Sequence, residues 1–170
     1  MGDIYTEILV PRQATPLDIF IKVLLILLTG AAIAAGVIWQ PQVLIGAAGL
    51  LAADILLLPR LDVEYEYLYI NGELDVDRIY SKTRRRPAAV FRPEEIEFLA
   101  PVSSIHWSEY GDSRKKPVWR TVNFSSGRKN VQVYALAARR GGKLLRVLLE
   151  PNEKMIKDLC RKMPGKVFSD

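Results

Sequence analysis

The sequence predicts an α+β membrane protein: a transmembrane helical hairpin, then a seven-stranded antiparallel bent sheet or barrel closed by one C-terminal helix. Three observations predict it. Thirty-six consecutive positions, Val23 to Leu58, contain one charged residue, Asp54. After Arg60 the chain changes to short segments of period-two alternation separated by turn residues. After Pro151 the period becomes helical, with apolar residues along one face. The expected organisation is an N-terminal arm (1–16), two spans within 17–59 and a domain over 60–170.

A bilayer core about 30 Å thick needs roughly 20 apolar helical residues. The first span is expected over about 17–39, with Lys22 near its start extending its ammonium toward the headgroups. The second is expected over about 43–58. Gln40-Pro41-Gln42 supplies an uncharged turn, and Trp39 is the interfacial residue such an end favours. A hairpin returns the chain to its starting side. Arg12, Lys22 and Arg60 flank the outer ends while the turn has no Lys or Arg, so the positive-inside bias puts both termini in the cytoplasm, at the inner membrane. Cys160 is the only cysteine, which excludes an intrachain disulfide framework and reads as a buried small hydrophobe. A cleavable leader ending at Ala32-Ile33-Ala34 fits poorly, because Asp3 and Glu7 outnumber Arg12 and a second apolar span follows at once. Two buried helices of a soluble protein fit poorly too, since the small domain left over would struggle to cover both.

Small residues crowd both spans: Gly30, Ala31, Ala32, Ala34, Ala35 and Gly36, then Gly46, Ala47, Ala48 and Gly49. Such faces let helix backbones approach closely in lipid. Contact within the hairpin, self-association into a homo-oligomer and docking on another membrane protein all use them. Asp54 is the candidate intramembrane contact, because an ionisable group in a span is by default a functional candidate. Its competing reading is an interfacial carboxylate paired with Lys22.

In the domain, Val63, Tyr65, Tyr67 and Tyr69 alternate with Asp62, Glu64 and Glu66, as in a half-buried strand. Asn71-Gly72 signals a type I′ turn, and Glu73 to Tyr80 returns. A two-residue loop pairs Tyr69 with Leu74, Tyr67 with Val76, Tyr65 with Arg78 and Val63 with Tyr80 on the core face. Five further strands are expected at about 88–92, 96–102, 119–124, 131–138 and 144–149, with turns at Arg92-Pro93, around Gly111 to Lys116, at Ser126-Gly127 and at Gly141-Gly142. The closing helix shows Met155, Ile156, Leu159, Cys160 and Met163 on one face and the i,i+4 pairs Glu153 with Lys157 and Asp158 with Lys162 opposite. Pro164-Gly165 ends it.

Seven antiparallel strands with one C-terminal helix resemble the pleckstrin-homology (PH-like) architecture. The stretch from Leu61 to Ile79, followed by Arg84-Arg85-Arg86, resembles the opening hairpin of bacterial PH-like domains joined to membrane helices. Glu150 to Met155 and the ending Lys166 to Asp170 add similarity to an uncharacterised bacterial membrane-protein family of this layout, over nearly the whole chain. That resemblance implies the fold and carries no biochemical role.

The residues after Arg60 hold 21 of the 24 Lys and Arg and 15 of the 19 Asp and Glu, a net +6. A cationic domain tethered at the inner leaflet is attracted to anionic lipids, by about 1 kcal/mol for each surface-facing cation. In a simple meander, alternate loops return to the end where the chain leaves the membrane. Those loops carry Arg84, Arg85 and Arg86; Arg114, Lys115 and Lys116; and Arg139 and Arg140, which are expected to form a basic membrane-facing collar. The competing reading is a set of solvated loop charges. Headgroup-specific recognition of the familiar PH kind is disfavoured, because the loop where that family keeps its basic groups is here the tight Asn71-Gly72 turn beside Glu73 and Asp75. Nucleic acid is disfavoured because stacking aromatics interleaved with Lys and Arg are missing.

Glu64, Glu66, Asp75 and Asp77 fall on the opposite face of the first hairpin, with Glu66 across from Asp77. Neighbouring arginines or hydration would relieve the repulsion more readily than a bound Ca²⁺. His106 is the only histidine, with no second nitrogen or thiolate near it in sequence, and no phosphate loop or nucleophile elbow occurs. No metal, cofactor or catalytic set is therefore expected. The function expected is a non-catalytic module, anchored in the membrane, that binds a protein or peptide partner or anionic lipid. The alternative is an accessory subunit of a transporter or secretion complex acting through its hairpin.

Overall fold

The structure, a computed structural model, describes residues 5–107 and 118–168. The elements are β1 (Tyr5–Pro11), α1 (Pro16–Ile38), α2 (Val43–Leu61), β2 (Val63–Ile70), β3 (Glu73–Tyr80), β4 (Arg84–Phe91), β5 (Ile96–Pro101), β6 (Val118–Asn123), β7 (Tyr134–Arg140), β8 (Lys143–Leu149) and α3 (Glu153–Lys162). They form two compact units. The hairpin takes Gln13–Val63 with Tyr80–Arg84, and the head takes the described residues of Met1–Arg12, Glu64–Ile79 and Arg85–Asp170.

In the hairpin, Thr15 starts α1 with a capping box: its Oγ1 accepts from Asp18 N at 3.2 Å, and Asp18 Oδ2 accepts from Thr15 N at 2.9 Å. Pro16 occupies the first helical position, where its missing N–H costs nothing. α2 runs past the expected Leu58 to Leu61, with Arg60 in the last turn. Both helices are long and apolar enough to cross a membrane, with mean hydropathy 2.4 and 1.8, and only 11% of each apolar window is buried. What they bury is small or polar: Asp18, Thr29 and Gly36 in α1, Ala47 and Asp54 in α2. A Cβ on Gly36 would lie 2.6 Å from Leu44 Cδ2 and 3.1 Å from Leu44 N, so this glycine sets the close approach beside the turn.

The head holds two four-stranded sheets, ordered β1-β2-β3-β4 and β5-β7-β8-β6. Four expectations are corrected here. The residues before the hairpin do not stay outside the sheet: Tyr5–Pro11 pairs antiparallel with β2, from Tyr5 opposite Ile70 to Pro11 opposite Glu64, so the described residues hold eight strands where seven are expected. β4 begins at Arg84, four residues before the expected start, which moves the arginine cluster from a loop into a strand. β7 begins at Tyr134, leaving Val131 in the connection. Finally, the strands do not follow a simple antiparallel meander. The β7–β8 hairpin inserts between β5 and β6, so β5 pairs with β7 and β6 runs parallel to β8.

Local chemistry explains the turns. Asn71 (φ 51°) and Gly72 (φ 110°) provide the two positive φ values of the expected β2–β3 turn, and Gly141 and Gly142 do the same between β7 and β8. Tyr67, Tyr69, Leu74, Val76, Leu136, Val147, Met155 and Leu159 lie at the centre of the core. Tyr67 Oη donates to Phe124 O at 2.7 Å and accepts from Glu150 N at 3.3 Å, joining β2 to the ends of β6 and β8. Burial raises the Tyr67 phenol well above its ordinary range and pushes that of Tyr69 up to about 12. The C-terminal tail lies beside β5, where Leu99 N donates to Lys166 O and Phe168 N to Leu99 O, each at 2.8 Å.

Candidate functional site

The head carries a groove of about 800 Å³ between α3 and the connection that enters β7. Its walls follow from local sequence. Pro151 follows the end of β8, and Asn152 caps α3 by accepting from Met155 N at 2.8 Å. Met155, Ile156, Leu159 and Met163 turn inward, as the sequence pattern predicts. The other wall is held by Glu150, whose Oε1 accepts from both Ser126 N and Ser126 Oγ at 2.8 Å. Val131, Tyr134, Pro151, Ile156 and Cys160 make the lining apolar, while Gln132, Asn152, Glu153, Lys157 and Arg161 give it polar groups. Cys160 is a half-buried free thiol rather than a fully buried one. The expected Glu153–Lys157 pair is present at 3.9 Å between exposed side chains. Asp158 instead accepts from Thr6 Oγ1 at 2.7 Å, a contact that depends on β1 joining the sheet.

The basic clusters are placed unevenly. Arg85 Nη2 meets Glu66 Oε1 at 2.5 Å and its Nε lies 3.9 Å from Asp77 Oδ2, so a neighbouring arginine neutralises the acidic face of β2 and β3. Burial pushes the Glu66 carboxyl up, against the lowering effect of Arg85, with Glu7 and Asp77 adding to the rise. Burial also raises Asp75, reinforced by Glu73 and Asp77. Arg139 donates to Glu97. Arg140 bonds both oxygens of Glu95 at 3.0 Å, donates to Val90 O at 2.5 Å and stacks over Phe91. The Arg140 bonds hold Glu95 below the usual carboxylate range. Arg84 and Arg86 are exposed on β4. Arg114, Lys115 and Lys116 lie outside the described residues. Of the five described members of the expected collar, Arg85, Arg139 and Arg140 are therefore engaged with carboxylates.

Asp54 is 7% exposed, and its Oδ2 accepts from Thr29 Oγ1 at 2.6 Å across the helix pair. The expected partner, Lys22, is out of register: with Thr29 opposite Asp54, Lys22 sits about 10 Å, two turns, further toward the outer end. Gly30, Gly46 and Gly49 have open space where a Cβ would stand, so the small-residue faces are only partly used within the hairpin. His106 stacks on Phe168 with ring centroids 3.8 Å apart. Among the described residues no group of three or more His, Cys, Asp or Glu side chains could hold a metal ion, and the acidic face, a candidate for Ca²⁺, forms none.

The groove had no signal in sequence beyond the helix itself, since Val131 reads as strand and Cys160 as core. Its apolar lining with a few polar groups is that of a ligand-sized groove. No curated protein and no solved structure matches the chain. The family described as Bacterial PH-like domain (DUF6106) matches residues 2–169, and this chain, with its paired sheets and C-terminal helix, belongs to that family.

Proposed function

We propose that this chain is a membrane-anchored, non-catalytic interaction module whose head binds a protein or peptide partner, with help from anionic lipid, at the inner leaflet. PH-like domains are in general interaction modules, which supports the non-catalytic reading. The observation that carries the anchoring is the pair of long apolar helices, each with only 11% of its apolar window buried, and the strand pairing around them puts both of their outer ends on one side. β1 precedes the two apolar helices and β2 follows them, yet the two strands form one ladder. A chain that leaves a sheet, crosses a bilayer and rejoins the same sheet must cross an even number of times. The charge bias of Arg12, Lys22 and Arg60 favours the cytoplasmic side for both ends.

The test is alkaline carbonate extraction combined with photo-crosslinking from head positions in intact membranes. The chain should stay in the membrane pellet and give a discrete adduct; release by carbonate, or no adduct from any head position, counts against the reading. The lipid contribution is assigned to Arg84 and Arg86 together with Arg114, Lys115 and Lys116. With the full chain in nanodiscs, anionic lipid should slow hydrogen exchange at the β3–β4 turn relative to zwitterionic lipid, and salt should abolish the difference. The outward glycines Gly30, Gly46 and Gly49 favour a second reading, an accessory subunit docking through its hairpin. In that case Gly46→Leu would abolish co-purification of a membrane partner while the head adduct persists.

A further inference from the structure

We infer that the groove beside α3 takes an extended, acidic segment of a partner protein with an apolar side chain at its centre; the inference rests on the reading of the head as an interaction module. The size fits, since sites for small ligands and peptide anchors occupy roughly 300–1,000 Å³ and this groove holds about 800 Å³. α3 has ten residues, about 15 Å of helix, which matches four or five residues of extended chain at about 3.3 Å each. The apolar lining asks for an apolar anchor: Val131 is 40% exposed with Ile156 and Cys160 beside it in the lining.

Charge selects the sign of the occupant. Lys157 and Arg161 line the groove against the single carboxylate of Glu153. Lys157 and Glu153 are 3.9 Å apart and highly exposed, a pairing that holds neither tightly, and Arg161 has no carboxylate partner among the described residues. Arg128 and Lys129, separated from Val131 by Asn130, are exposed as well. The main chain selects the class of occupant. Val131 and Gln132 lie outside the β7 ladder and form no hydrogen bond among the described residues. Amide and carbonyl groups left open along a groove suit a peptide backbone, whereas an acyl chain has nothing to offer them.

Cys160, the only cysteine, lines the groove and reports its occupancy. With the full chain in nanodiscs, the rate of Cys160 alkylation by iodoacetamide is measured with a pool of hexapeptides, each with four Asp or Glu residues around a central Leu, Ile or Phe. At about 1 mM the acidic pool should slow alkylation about two-fold or more, as for a Kd near 1 mM, and the same pool with Lys and Arg should not. The double variant Lys157→Glu, Arg161→Glu should reverse that preference, a gain that an unfolded variant would not show. Equal protection by both pools, no protection by the acidic one, or protection by a fatty acid alone would overturn the inference. A head adduct in intact membranes that persists after any of these results leaves the interaction-module reading standing, whereas absence of every head adduct removes that reading itself.

Discussion

The hairpin and the head bury opposite chemistry. In the head, tyrosines, leucines and valines fill the interior while Arg86, Lys154 and Lys157 face outward. In the hairpin, Leu27, Ile45, Ile55 and Leu56 face outward while Thr29, Asp54, Gly36 and Ala47 face the partner helix. Each unit also deals with a buried carboxylate in its own way. Glu66 in the head meets a guanidinium, and Asp54 in the hairpin meets a neutral hydroxyl. The inversion is what the proposed membrane hairpin requires: where water is the solvent, burying apolar area drives packing, and where hydrocarbon is the solvent it drives nothing, so small residues and polar contacts would hold the helices together.

The largest effect that can break this comparison comes from equal truncations in the two units. Leu136 is fully buried on β7, and Leu136→Ala should destabilise the head by about 3 kcal/mol in denaturant titration. Leu27 is 64% exposed on α1, and Leu27→Ala should leave hairpin stability in lipid within about 0.5 kcal/mol of the parent. Comparable losses at both positions would mean that α1 is packed as in a soluble protein.

A smaller effect, on the order of 2 kcal/mol, is expected from Arg85→Ala, which leaves Glu66 buried beside Asp77 without its cation; Arg85 is itself half-exposed, which keeps the loss below that of a fully buried pair. Two carboxylates then give opposite pH signatures. The Glu66 value is raised in the folded head, so its stabilising contribution is present below the unfolded value near 4.5 and is lost as pH rises through the raised one. Relative to Glu66→Gln, the parent should therefore gain stability on acidification. The Glu95 value is lowered by Arg140, so its contribution is present above the unfolded value and is lost as pH falls through the lowered one. Relative to Glu95→Gln, the parent should lose stability on acidification. The same sign for both pairs would contradict the pairing described.

Within the hairpin the expected effects are smaller. Gly36→Ala forces a Cβ against Leu44 and should weaken helix association by about 1 kcal/mol, whereas Gly30→Ala, with nothing within 4 Å, should not. Thr29→Val removes the donor to Asp54 and should cost about 0.6 kcal/mol, the usual worth of an interhelical hydrogen bond in lipid. Steric-trap measurement of hairpin separation in bicelles distinguishes the two glycines and sizes the hydroxyl.

The parts readable in sequence were those set by local chemistry. Asn71-Gly72 marked its turn because only a few residues accept positive φ, and the face of α3 was written in Met155, Ile156, Leu159 and Met163. The parts missed depend on partners distant in the chain. Tyr5–Pro11 is short, ends in proline and buries only Thr6 and Val10, so nothing local announces a strand whose mate begins more than fifty residues later. The parallel β6–β8 pair arises from where the β7–β8 hairpin inserts, and no residue in either strand encodes that. Arg85 could have been matched to Glu66 only with β4 already extended back to Arg84. The groove needed all of these in place, because one of its walls is a connection held by Glu150 and Ser126.

The most direct measurement of the hairpin as a membrane element is labelling with an impermeant maleimide in right-side-out and inside-out vesicles. It compares the native Cys160 with a single cysteine at the turn, Gln40→Cys in a Cys160→Ser background. The expected result is opposite sidedness: Gln40→Cys labels only in right-side-out vesicles and Cys160 only in inside-out ones. Labelling of both from the same face, or recovery of the chain outside the membrane fraction, would contradict a hairpin that crosses the bilayer and returns.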